Sequence, residues 1–115
     1  MKLRKLIEEY LKEAKMMQLA TTKNSQPWVC NVWFVADSDL NIYWFSSATR
    51  RHSKEIMRNK KVGAAIVLPQ TPKDPPRGLQ LQGTAKMLTS KKDIDKAISV
   101  YKDRIFPIKT IKELM

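Results

Sequence analysis

One cysteine, one histidine and three glycines are all that the 115 residues contain. Each scarcity closes off a chemistry. Cys30 alone forms no intramolecular disulfide, and it gives no basis for a thiolate metal site. With His52 it supplies too few nitrogen and sulfur ligands for zinc. As a nucleophile–base pair the two are weak, because Cys30 sits mid-strand with nothing nearby in sequence to activate it. The few glycines make neither a dinucleotide fingerprint nor a P-loop. No apolar run approaches the ~18 residues of a membrane span. The opening "MKLRKLIEEYLKEAK" is charged throughout and lacks the apolar core of a signal peptide, so a cytoplasmic chain is expected. Asp37 and Asp39 fall in the turn "DSDLN", where Asp is a turn former, and they receive no catalytic role.

Acidic residues are scarce relative to basic ones, 11 against 22, which leaves a net charge of +11. Such an excess favours an anionic partner: nucleic acid, an acidic surface or a phosphorylated small molecule. Its distribution is uneven. No Lys or Arg occurs between Lys23 and Arg50, whereas residues 50–61 hold six against one acid, Glu55. Hydrophobic residues at 43% and charged residues at 29% fit a globular chain, read as one domain over residues 1–115.

The patterns are short and distinct. Leu3, Leu6, Ile7, Tyr10, Leu11 and Ala14 have the spacing of an amphipathic helix packed on a sheet. "MQLATT" reads as a strand, "KNSQP" as a turn, and "WVCNVWFVA" as a second strand. Trp28, Cys30, Val32 and Phe34 share one face of that strand, and Val29, Asn31, Trp33 and Val35 the other. Both faces are largely apolar, which predicts cover on both sides, in a closed barrel or at a subunit contact. "IYWFSS" predicts a third strand and residues 50–59 a helix, with Thr49 as its N-cap. "VGAAIVL" predicts a buried strand. The loop "PQTPKDPPRG" follows, and then the strand "LQLQGTAKML", with Gln80 and Gln82 on one face and Leu79 and Leu81 on the other. Ser90 and Asp93 have capping-box spacing ahead of a last amphipathic helix, and "FPIKTIKELM" suggests one more helical turn. The order helix, three strands, helix, two strands, helix predicts antiparallel pairing and a small closed or half-open barrel.

Chemistry concentrates at "SSATRRH". The first N–H groups of a helix lack intrahelical partners and lie at the positive end of its dipole. Arg50 and Arg51 add guanidinium forks, His52 a ring donor, and Ser46 and Ser47 hydroxyls. Together these predict a phosphate cradle without glycines.

The succession "MQLATT…PWVCNVWFVADSDLNIYWFSSATRRHSKEIMRNKKVGAAIVL…LQLQGTAKML", over roughly residues 16–88, resembles the pyridoxamine 5'-phosphate oxidase-like split barrels. "TRRH" and "YKDRIFPIKTIKEL" resemble a subset of that family without an assigned substrate. The resemblance implies a mainly β fold with peripheral helices, an antiparallel split β-barrel of the FMN-binding type. It implies a homodimer with FMN at its interface and a small-molecule redox substrate. By position it assigns the cofactor phosphate to Phe45 and Ser46 and then to Arg50, Arg51 and His52, with Ser47 and Thr49 of the same segment as further cofactor-binding candidates. It assigns the flavin ring to the backbone of the second strand, including Cys30, Asn31, Val32 and Trp33, with Gln80 and Gln82 as further contacts. Trp33, Trp44 and Phe45 are candidates to line the ring, or else barrel core. Two departures stand out. Cys30 and Val35 occupy positions where the vitamin-metabolising oxidases carry an Arg and a Lys. The sequence also ends at Met115, ahead of those enzymes' substrate-gripping Trp and Arg, so pyridoxamine phosphate oxidation itself is not expected. Deazaflavin, haem or no cofactor are the alternatives on this scaffold. A basic nucleic-acid module or a ligand-free interaction protein are the alternatives to a flavoprotein.

Overall fold

The computed structural model describes residues 2–104, so the predicted C-terminal turn lies outside the described residues. Helix α1 (Lys2–Glu13) leads into the hairpin β1 (Met16–Lys23) and β2 (Gln26–Trp33). Short strands β3 (Val35–Ala36) and β4 (Ile42–Tyr43) follow, then helix α2 (Arg51–Arg58). Strands β5 (Lys61–Val67) and β6 (Gly78–Thr84) and helix α3 (Lys91–Arg104) complete the order. All strand pairs are antiparallel.

The β1–β2 turn is two residues long, and both adopt left-handed backbone: Asn24 at φ 51° and Ser25 at φ 64°. That geometry matches the twist of the flanking strands. It sets the register Met17↔Val32, Leu19↔Cys30 and Thr21↔Trp28. The strand expected over residues 28–36 is broken at Phe34, whose N–H donates to the Lys15 carbonyl (3.0 Å). The strand expected from "IYWFSS" ends at Tyr43, because the chain turns away at Trp44 to reach α2. Asp37 is the turn former anticipated: its Oδ1 accepts the N–H groups of Asp39 and Asn41.

Among the described residues the strands make a four-stranded sheet, β2–β1–β5–β6, and a separate β3–β4 ribbon. One face of the large sheet carries Met17, Leu19, Val32 and Ile66, buried with Leu11, Phe34 and Ala36 in the main core. The α1 stripe is only partly used: Leu11 is buried, whereas Leu3 and Leu6 at the helix start stay exposed. At the far end of the ribbon, Tyr101 of α3 packs against Val35 and Phe45 and donates its hydroxyl to the Trp33 carbonyl. Asp93 N–H donates to Ser90 Oγ (3.1 Å), the N-cap half of the predicted box. Gly78 is required by close approach, since a Cβ there would lie 2.6 Å from the Ile66 carbonyl oxygen.

Among the described residues the opposite sheet face is largely exposed. Asn31, Gln18, Ala65 and Gln80 form one cross-strand row on it, and Val29, Ala20, Gly63 and Gln82 the next. Val29, Trp33, Met16 and Val67 are all exposed there. The two apolar faces of β2 therefore differ in fate: one is core and the other is surface.

Candidate functional site

The segment between β4 and α2 is tied to itself. Ser47 Oγ accepts Thr49 N–H and shares a 2.8 Å hydrogen bond with Thr49 Oγ1, and Arg50 N–H donates to the Ser47 carbonyl. Thr49 is not the N-cap. Arg50 takes that position with extended backbone (φ −67°, ψ 148°) and no side-chain cap, because the Thr49 hydroxyl is engaged with Ser47. Among the described residues the first N–H groups of α2 have no side-chain acceptor.

His52 points inward. It is buried, and its Nε2 lies 2.8 Å from Ser46 Oγ. Burial, helped by the Arg50 charge, lowers its pKa, while Glu55 pulls the other way. The neutral ring is thereby favoured, and with Nε2 turned to Ser46 the expected ring donor faces the interior rather than the helix start. The sign for stability follows. The unfolded imidazole takes its proton first as pH falls below about 6.5. The contribution of a neutral His52 is thus complete above that pH and declines towards the lowered folded value. We expect urea midpoints measured from pH 7.5 to 5.5 to fall more steeply for the wild type than for His52→Gln. Parallel curves would show that the buried ring carries no such penalty.

Arg51 is the most constrained member of the segment. Its Nε–H donates to Glu55 Oε2 (2.9 Å), and its guanidinium carbon sits 3.9 Å from the centroid of the Trp28 ring. Glu55 is buried and its other oxygen accepts the Thr21 hydroxyl (2.7 Å). The Thr21 and Arg51 hydrogen bonds hold its carboxyl below the usual range. The terminal nitrogens of Arg51 make no hydrogen bond within the described residues. Arg51 thus partners a buried carboxylate.

The remaining candidates are dispersed. Cys30 and Val32 face the core, and burial pushes the Cys30 thiol up, so it is no activated nucleophile. Asn31 and Trp33 lie on the uncovered face, where Gln18 donates its amide to Asn31 Oδ1 (3.0 Å). Gln80 and Gln82 share that face on β6, at the opposite edge of the sheet. Three inter-strand steps, about 14 Å, separate them from β2. Phe45 meets Tyr101 in a tilted pair, with ring centroids 4.5 Å apart and planes at 58°. Behind the ribbon, a cavity of about 800 Å³ is lined by Leu19, Trp44, Ile56, Leu81 and Met87, with Ser46 among its polar groups. Among the described residues no cluster of His, Cys, Asp and Glu is placed to hold a metal ion.

Glu55, Thr21 and Trp28 are absent from the sequence-based site. A signal for Glu55 existed: it is the lone acid in the basic stretch and stands four residues after Arg51. The sequence profile described as pyridoxamine 5'-phosphate oxidase matches residues 3–113. The chain belongs to that family.

Solved structures similar to this pyridoxamine 5'-phosphate oxidase family member agree on the fold. HutZ, the heme storage protein from Vibrio cholerae, is 23% identical with a TM-score of 0.80, over 99% of this chain and 82% of its own. A FAD-binding protein from Mesorhizobium loti is 20% identical with a TM-score of 0.67, over 89% of this chain and 73% of its own. A heme binding protein from Mycobacterium smegmatis is 21% identical with a TM-score of 0.70, over 87% of this chain and 43% of its own. At these identities the likeness extends to fold alone. No curated protein matches the chain. No described helix is long and apolar enough to cross a membrane.

Proposed function

We propose that this family member is an FMN-binding flavoprotein, a small oxidoreductase on a split-barrel scaffold, whose cofactor phosphate rests at the start of α2. The observation that carries the reading is the pair of Arg51 terminal nitrogens, without a hydrogen bond among the described residues, beside an uncapped helix start and the exposed Arg50. Arg51 would hold the phosphate, Arg50 would add charge, and Ser47 and Thr49 hydroxyls would complete the donors. Among the described residues β2 is an edge strand, and one row of its backbone groups is proposed to meet the flavin ring. Bound flavin supplies the electron chemistry, and the protein supplies binding, orientation and access. The substrate is proposed to be a small redox-active molecule.

Similar structures include both FAD-binding and heme-binding proteins. The residues of this chain favour flavin. Its single histidine is buried against Ser46 and poorly placed as an axial ligand, whereas its free guanidinium nitrogens suit a phosphate. The nucleic-acid alternative rests on the charge alone. Titration separates these readings. FMN added to purified protein should be quenched on binding and should bind at least about tenfold tighter than riboflavin, which lacks only the phosphate. Equal affinities for the two flavins would dismiss the cradle. Absence of any flavin binding, with tight haemin binding in its place, would dismiss the flavoprotein.

The uncovered sheet face is proposed to pair with a second copy in a homodimer. Its centre, Ala20, Gly63 and Ala65, is small enough for close approach, and Val29, Trp33 and Val67 supply exposed apolar area. Such a dimer would also complete cofactor surroundings that one chain divides between opposite sheet edges. Ala65→Arg, on this surface, is expected to leave the fold intact and turn a dimer into a monomer by light scattering. A wild type that stays monomeric at micromolar concentration with flavin bound would refute the interface.

A further inference from the structure

We infer that Glu55, anchored by Thr21, is a positioning residue: with the Trp28 ring it fixes the Arg51 guanidinium so that its terminal nitrogens meet an anion. The inference rests on the flavin-phosphate reading and names the device that prepares that site.

Two independent restraints act on one group. Along its edge, Arg51 Nε–H is bound to Glu55 Oε2 at 2.9 Å; across its plane, the Trp28 ring lies 3.9 Å away. An edge contact and a face contact together remove most of the freedom of a long side chain. Glu55 can serve because it is itself immobile: its side chain is 3% exposed, and Thr21 Oγ1 holds its second oxygen at 2.7 Å. Thr21 and Trp28 are cross-strand partners at the end of the β1–β2 hairpin, so the hairpin register places both restraints under α2. A carboxylate beside an anion site lowers affinity by repulsion. For the site to gain from it, ordering Arg51 in advance must outweigh that repulsion. Nε is the donor used, which spares both terminal nitrogens for bidentate contact with phosphate oxygens.

The test reads the ratio of FMN to riboflavin affinity, which isolates the phosphate contact, in a set of variants. Glu55→Ala should reduce that ratio about tenfold. Glu55→Gln should restore most of it, since a Gln oxygen accepts Nε–H while its amide donates to Thr21 Oγ1. Trp28→Leu, which leaves the buried carboxylate untouched and remains informative if Glu55→Ala fails to fold, should reduce the ratio severalfold. In the Arg51→Ala background none of these changes should lower the ratio further. A Glu55→Ala or Trp28→Leu protein that retains the wild-type ratio overturns the inference, as does a loss of equal size with and without Arg51. A wild type that does not distinguish the two flavins overturns the phosphate reading instead. The clamp is then judged with inorganic phosphate titrated against the Arg51 side-chain nitrogen resonances. A shift present in the wild type and lost in Trp28→Leu supports it, and no shift in the wild type overturns it.

Discussion

Arg51→Ala is expected to weaken FMN binding about ten- to a hundredfold while leaving riboflavin binding unchanged. The size follows from losing a charge-assisted, bidentate contact, which contributes roughly 1.5–3 kcal/mol. The same substitution at Lys92, exposed on α3, should have no effect on either flavin. Arg51→Lys should fall near the alanine variant. A single ammonium cannot satisfy Glu55 and also present two parallel donors to a phosphate. With Glu55 buried and dependent on Arg51 Nε, a fall in melting temperature is expected as well. Equilibrium dialysis with each flavin, alongside a thermal melt, checks both parts. Unchanged FMN affinity would remove Arg51 from the site. An unchanged melt would show that Thr21 alone satisfies the carboxylate.

Phe34→Ala is expected to be the most damaging single substitution for the fold, at about 3–5 kcal/mol. Phe34 has no exposed surface, and it lies in the main core with Leu19, Val32 and Ile66. Its backbone N–H also anchors the break between β2 and β3 to the Lys15 carbonyl, so the cavity would open where three elements meet. Against a total stability of roughly 5–15 kcal/mol, such a loss is a large fraction. With urea slopes of about 1–3 kcal/mol per molar, the midpoint should drop by roughly 2 M. A shift below about 0.5 M would mean that the ring is not packed as described. Phe34→Leu, which keeps most of the apolar volume, should lose less than half as much.

What could be read along the chain was local. The Asn24–Ser25 turn, the Asp37 turn, the Ser90 cap and the opposed Leu and Gln faces of β6 each depend on residues within a few positions of one another. So does the donor-rich run from Ser46 to His52, because short-range spacing governs backbone conformation and helix-end electrostatics. The break at Phe34 was hidden, since an unbroken β pattern continues in sequence to Ala36. Trp44 to Ser47 have strand character in sequence, yet the chain must leave the ribbon to reach α2.

The roles within the site were decided in three dimensions. Arg51 and Glu55 are one helical turn apart, but Thr21 is 34 positions away from Glu55 in sequence, and Trp28 is brought in by the hairpin. Whether a given Arg or His faces solvent, a partner or the core depends on which strands lie beneath its helix. His52 turned inward to Ser46, while Arg51 was held between a carboxylate and an indole. The sequence determined the element types, the turns and the place where charge gathers. Strand order and register decided which of those charges are already engaged, because burial and pairing arise only between segments that the chain itself keeps far apart.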